Sequence, residues 1–171
     1  MIARIIICAG LVAAGGAPAV AAGMLPGSSG KEPYTVDAAK LDFFDKEQKL
    51  VYTGDVLATQ GATKVRAAAM TIYLDKTGSE TSQAAVRRIE LKGPVTVAQK
   101  DKIGTGDSGV YDRADNKWYL IGNVTLTEGT DVTRGERLVY DLGTARAVVE
   151  GGRSGRVQSV FTPRDSAKGK N

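Results

Sequence analysis

Three carboxylates lie close together at Asp101, Asp107 and Asp112, and Asp107 is followed directly by Ser108 and Gly109. Paired acids are what glycoside hydrolysis on a β-helical scaffold would use, one carboxyl donating a proton while the other acts as base or nucleophile. Acids at strand ends more often shape turns and keep a surface soluble, and no nucleophile and base pair accompanies these in a local motif. The 171 residues include no His and one Cys, Cys8. That excludes a His-based triad, a His general base and a His or clustered-Cys metal site. A nucleotide-binding Gly-Lys motif is also missing. The cations Lys100, Lys102, Arg134, Arg137, Arg153 and Arg156 are candidates for lipid phosphates or sugar acids on an outer rim, with a solvated polar face as the plainer alternative. A net charge of +4, dispersed among acids and without a recognised motif, argues against a nucleic-acid partner. The expectation is a protein that is not an enzyme and holds no cofactor or metal.

Arg4, the apolar run Ile5 to Ala14 and the small residues Ala19-Val20-Ala21 have the order of an export signal with a small-residue cleavage site before Ala22. Gly15, Gly16 and Pro18 interrupt the apolar run well short of the ~20 residues a membrane span needs. Residues 1–22 are therefore expected to be a signal peptide, 23–33 a flexible Gly/Ser/Pro leader, 34–163 one domain and 164–171 a disordered polar tail. A retained signal acting as an anchor is the alternative. Within the domain the period is two. Ile89, Leu91, Val95 and Val97 share one face while Arg88, Glu90, Lys92 and Thr96 share the other, and Trp118, Leu120, Val124 and Leu126 repeat the pattern. The one Ala-rich, helix-like stretch, Arg66 to Met70, is too short to stand alone. The fold class is all-β.

Three segments align internally: Gly54-Asp55-Val56-Leu57-Ala58, Gly93-Pro94-Val95-Thr96-Val97 and Gly122-Asn123-Val124-Thr125-Leu126. Each precedes a Tyr (Tyr73, Tyr111, Tyr140) and then an Asp (Asp75, Asp112, Asp141), with partial copies at both ends. One turn, around Lys76 to Gln83, is enlarged. Units of this size cannot bury an apolar face alone, but stacked units can, giving a quasi-one-dimensional sheet with an open edge at each end. Those edges are expected near Tyr34-Thr35-Val36 and Val157 to Thr162, and the repeated Gly suits a bend or close backbone approach.

The run Tyr52-Thr53-Gly54-Asp55-Val56-Leu57-Ala58-Thr59-Gln60-Gly61 resembles the aromatic-Thr-Gly-Asn-Val and Thr-Gln-Gly signature of the OstA-like lipopolysaccharide-transport family. The likeness spans Tyr34 to Pro163, with Asp55 in place of the usual Asn and Gly93-Pro94 as a second departure. It implies short antiparallel strands folded into a twisted V-shaped, jellyroll-like slot lined with apolar side chains that hold the acyl chains of lipopolysaccharide. It further implies a periplasmic carrier between an inner-membrane anchor protein and an outer-membrane translocon. The parity transferred through the repeat gives the expected lining: Tyr34, Val36, Val56, Ala58, Ile89, Leu91, Val95, Val97, Tyr111, Leu120, Val124, Leu126 and Tyr140, with Tyr73 as a further member. Alternation is identical for an open groove and a filled core, and a structural β-solenoid without ligand stays open. Unpaired edges favour head-to-tail self-association.

Overall fold

The computed structural model describes residues 33–75, 86–152 and 155–162. The expected signal peptide, most of the leader, the enlarged turn and the polar tail lie outside them. Ten strands form one antiparallel sheet: β1 (Tyr34–Asp37), β2 (Lys40–Phe44), β3 (Lys49–Gln60), β4 (Thr63–Leu74), β5 (Val86–Gln99), β6 (Lys102–Asp112), β7 (Lys117–Glu128), β8 (Asp131–Asp141), β9 (Arg146–Glu150) and β10 (Gln158–Val160). Strands β3 to β8 follow one another in sequence order across the sheet. Short β1 and β2 share the outer side of β3, and short β9 and β10 share that of β8. The expected edges at Tyr34–Val36 and around Val160 are thus both present, and β2 and β9 extend them over the other half of each long strand.

The repeated glycines bend the sheet. Opposite Ala68, β3 inserts Gly54 and Asp55, so that the register jumps between Thr53 and Val56. The same jump occurs at Gly93-Pro94 on β5 and at Gly122-Asn123 on β7. Gly54, Gly93 and Gly122 have φ of +83°, +83° and +78°, which glycine adopts without steric cost. Asp55 and Asn123 follow in the left-handed region at +44° and +48°, where short Asx side chains are tolerated. The Asp-for-Asn departure is therefore conformationally neutral, and Pro94, which cannot follow them there, makes the second bulge a variant. Two residues opposing one is a β-bulge, and a column of bulges kinks every strand at one line. The short strands legible in the alternation are thereby joined pairwise into bent strands of 11 to 14 residues.

A lone sheet layer leaves both faces wet. Here one face is dry: Val97 is 0% exposed, and Val56, Val65, Leu91, Leu120 and Val124 are each 1% exposed. These residues belong to one cluster drawn from both sides of the kink. Among the described residues only the sheet itself can supply the cover, so its two arms close on each other about the bulges. The first arm holds the strand halves toward the two-residue turns at 61–62, 100–101 and 129–130. The second holds the halves toward the four-residue turns at 113–116 and 142–145.

Those longer turns are tied by their carboxylates. Asp141 Oδ1 accepts from the backbone N–H of Thr144 and of Gly143, both at 2.9 Å. The Thr144 backbone bond foremost, helped by that residue's hydroxyl, Gly143 and the Lys117 ammonium, holds the Asp141 carboxyl below its ordinary range against the opposing effect of desolvation. A carboxyl depressed in the folded state stabilises fully above its unfolded value of ~3.9 and loses that contribution as pH falls through the folded value. Asp141→Asn should therefore lower the urea midpoint at pH 7 while the gap to the parent closes below about pH 3; a gap of constant size would remove the carboxylate from this role.

Candidate functional site: an apolar slot

The alternation of each strand sorts its side chains between slot and solvent, and the register lines them into rungs across the sheet. One inner rung in the second arm runs Leu41, Tyr52, Met70, Leu91, Gly109, Leu120, Leu138, Val149; the next runs Phe43, Leu50, Ile72, Ile89, Tyr111, Trp118, Tyr140, Ala147. In the first arm Val36, Ala58, Val65, Val97, Gly104, Leu126 and Thr133 form another. These rungs reach from the β1/β2 edge to the β8–β9 side and are apolar almost throughout. Tyr111 stacks at 5.2 Å on Trp118, and burial raises its phenol pKa.

Of the expected lining, Val56, Ala58, Leu91, Val95, Val97, Leu120, Val124, Leu126 and Tyr140 are buried in the slot. Val36, Ile89 and Tyr111 pack against that cluster. Tyr34 pairs with Gln60 at the open edge and is 36% exposed. Tyr73 is a correction. It lies in the outer rung with Arg88 and Asp112, its hydroxyl 3.4 Å from Glu90 and the Arg87 guanidinium 6.0 Å over its ring. Ile72 takes the rung position that Tyr111 and Tyr140 hold in the later units. Val65, Ala67, Met70, Leu74, Trp118 and Leu138 are also buried, though none belongs to the expected lining.

The slot is not apolar to its very lip. The last inner rung of the first arm is Gln60, Thr63, Gln99, Lys102 and Glu128. Gln60 and Thr63 are each 4% exposed, Gln99 donates to Thr63 Oγ1 at 3.1 Å, and the Lys102 ammonium pairs with Glu128 at 3.1 Å. One lip is polar and the opposite lip aromatic. Of the cations considered for a rim, Lys102 alone sits in an inner rung. Lys100 occupies a turn, Arg134, Arg137 and Arg156 are exposed, and Arg153 lies outside the described residues.

The outer face holds the charge. Arg88 bridges Glu90 at 2.8 Å and Asp112 at 2.9 Å, the Glu90 hydrogen bond foremost in keeping its guanidinium protonated. Asp107 accepts from Asn123 at 2.8 Å, so two of the three acids considered for glycoside chemistry already serve other partners, and Asp101 sits in the β5–β6 turn. Among the described residues no cluster of His, Cys, Asp and Glu fits a metal ion.

Residues 35–146 match the family model described as LptA/(LptD N-terminal domain) LPS transport protein. Among characterised relatives, the lipopolysaccharide export system protein LptH of Pseudomonas aeruginosa is 34% identical over 143 residues, covering 80% of this chain and 77% of its own. A protein of uncharacterised function from Rhizobium meliloti is 30% identical over 138 residues, covering 79% and 74%. The crystal structure of LptH, the LptA homologous periplasmic component of the conserved lipopolysaccharide transport device from Pseudomonas aeruginosa, superposes with a TM-score of 0.65 at 25% identity, covering 80% of this chain and 99% of that one.

Proposed function

Because the chain belongs to the LptA/LptD N-terminal domain family of lipopolysaccharide-transport proteins, we propose that it carries lipopolysaccharide through the periplasm with the acyl chains held between its two arms. An acyl chain of a dozen methylenes exposed to water costs roughly 10 kcal/mol at ~0.8 kcal/mol per CH₂. A lipid with several chains needs an apolar lining along its whole route. The observation that carries the reading is the set of inner rungs spanning the sheet almost without a polar interruption. Lipid can slide across them from edge to edge. The protein contributes no chemical step; it moves lipid passively, with the driving force supplied elsewhere. An inner-membrane anchor protein and an outer-membrane translocon are its partners at the two ends, and copies of the chain join head to tail between them. Export by a signal peptide cleaved after residue 22 delivers it to that compartment.

The closed packing of the arms makes the test sharp. A photo-crosslinking residue at Val97 or Leu126, on the inner face, should capture lipopolysaccharide in envelopes, while the same residue at Thr96 or Thr125, one position earlier and outward, should capture none. Equal labelling at all four positions, or lipid-free protein recovered from envelopes by extraction and mass spectrometry, would favour a structural sheet without cargo.

A further inference from the structure

Over its central stretch β6 turns no side chain into the slot. Between Lys102 and Tyr111, the inward positions of β6 are Gly104, Gly106 and Gly109, all buried. None of the three has φ in the left-handed region, so backbone conformation does not demand glycine, and glycine weakens a strand interior. Crowding does not demand it evenly either. A Cβ on Gly135 of β8 would stand 2.5 Å from Val149 Cγ1, which accounts for that glycine, whereas a Cβ on Gly106 would find its nearest neighbours at 3.5 Å, an ordinary contact. At Gly109 the close atoms are the flexible ends of two leucines, Leu91 Cδ1 at 3.1 Å and Leu120 Cδ2 at 3.4 Å, leaning in from either side.

We propose that this glycine-floored furrow along β6 seats one acyl chain of the cargo, extended along the strand with its polar end at Lys102 and its methyl end toward Tyr111 and Trp118. The proposal rests on the carrier reading above and names where in the slot a chain lies and which way round. The walls stand on β5 and β7, two strand spacings or about 9.6 Å apart, and the floor from Gly104 to Gly109 runs ~17 Å along the strand before allowing for the bend. That is the reach of an acyl chain of about a dozen carbons. The polarity gradient sets its direction: Gln99, Lys102 and Glu128 stand together at one end, and the Tyr111–Trp118 pair stands at the other. A head group that must keep hydrogen bonds belongs at the first and a methyl terminus at the second. Without cargo, Leu91 and Leu120 fill the furrow over Gly109; with it, they turn aside to become walls.

The experiment uses delipidated protein and purified hexa-acylated lipid A. Gly106→Val puts a branched side chain on the furrow floor, and Gly106→Ala, whose Cβ already fits, guards against a folding artefact. Thr105→Val on the outer face is the control. Expected are at least a tenfold weaker Kd for Gly106→Val, a smaller loss in the same direction for Gly106→Ala, and parental affinity for Thr105→Val, with unfolding midpoints of the Ala and control variants unchanged. Lipid A carrying a diazirine at a chain terminus should label Leu91 and Leu120, and one carrying it beside the head group should label Val97 and Leu126. Parental affinity in both Gly106 variants, or labelling spread evenly over β3 to β8, overturns the furrow while leaving the carrier reading intact. Failure of the parent protein to bind lipid A at all would overturn the carrier reading itself, and the furrow with it.

Discussion

Leu120→Asp is expected to unfold the domain at neutral pH, whereas Ile121→Asp, one residue further on, should leave stability within about 0.5 kcal/mol of the parent. The two side chains differ only in which way β7 points them, Leu120 being 1% exposed and Ile121 41%. Removing a buried leucine costs about 2–5 kcal/mol through lost transfer energy and residual cavity. A carboxylate put in its place then has no partner in an apolar rung, and it either carries several kcal/mol of desolvation or takes up a proton. Together these rival the whole stability of a domain, typically ~5–15 kcal/mol. The sign of the pH effect follows. The introduced carboxyl has its folded pKa raised above the unfolded value, so the destabilisation is smallest below the unfolded value and grows as pH rises. The Leu120 variant should recover ellipticity and a measurable urea transition near pH 4, while the Ile121 variant should track the parent throughout. Similar midpoints for the two variants at pH 7 would show that the alternation does not sort this strand between slot and solvent.

That alternation was legible on β5 and β7 for a physical reason. Their bulges insert a pair of residues, Gly93-Pro94 and Gly122-Asn123, so the inward set keeps one parity through the kink: Leu91 with Val95, Leu120 with Val124. On β4, β6 and β8 a single residue, Ala68, Asp107 or Glu136, faces each bulge, and the inward set changes parity there. Val65 and Ala67 give way to Met70 and Ile72, and Gly135 gives way to Leu138. A strict period of two therefore loses half of each such strand. This is why β4 contributed nothing to the expected lining. Tyr73 faces outward for another reason: it comes 19 residues after Gly54, whereas Tyr111 and Tyr140 come 18 after Gly93 and Gly122, so Ile72 takes their place in the rung. The same change of parity gives Arg66 to Met70 its unpatterned, helix-like look, though it is continuous strand.

Closure of the arms left no trace in the pattern, because an inward side chain reads the same whether it meets lipid, water or the opposite arm. What distinguishes the cases is that a single layer shows exposures near zero on one face. The slot without cargo is thus filled by its own side chains. Under the proposed carrier role, lipid entry would exchange those contacts for acyl contacts of similar apolar character, so a small net driving force and reversible loading are expected. The glycines of β6 were legible as letters and not as a feature. Gly104 and Gly106 lie on one parity and Gly109 on the other, so only the kink at Asp107 brings all three to one face.

The second large effect expected is in assembly. The long strands alternate in direction, so β1 and β2 run opposite to β10 and β9. A second copy stacked in the same orientation therefore meets the first with antiparallel strands in both arms and needs no reversal. Keeping the rungs in line sets Leu41 against Val149, Phe43 against Ala147 and Lys40 against Glu150 of the next copy. Leu41 and Phe43, each 50% exposed, would be covered, and a charge pair would close the rung beside them. In the other arm Val36 meets Ser159. Directly opposed residues in antiparallel strands have Cα atoms about 4.5–5.5 Å apart, within the ~4.4–6.8 Å that a disulfide spans. A Cys8→Ser chain carrying both Val36→Cys and Ser159→Cys should therefore form a ladder of oxidised oligomers that lengthens with concentration, because a heterologous contact need not close. The single variants should give no ladder, and Leu41→Asp should shorten it by placing a second acid beside Asp42 in a contact that ought to be apolar. Dimers joined only Val36 to Val36, or a strict monomer at high concentration, would rule out the junction. The rungs would then end at each molecule's edge, and a lipid would have to cross water between carriers at the cost per methylene that the slot exists to avoid.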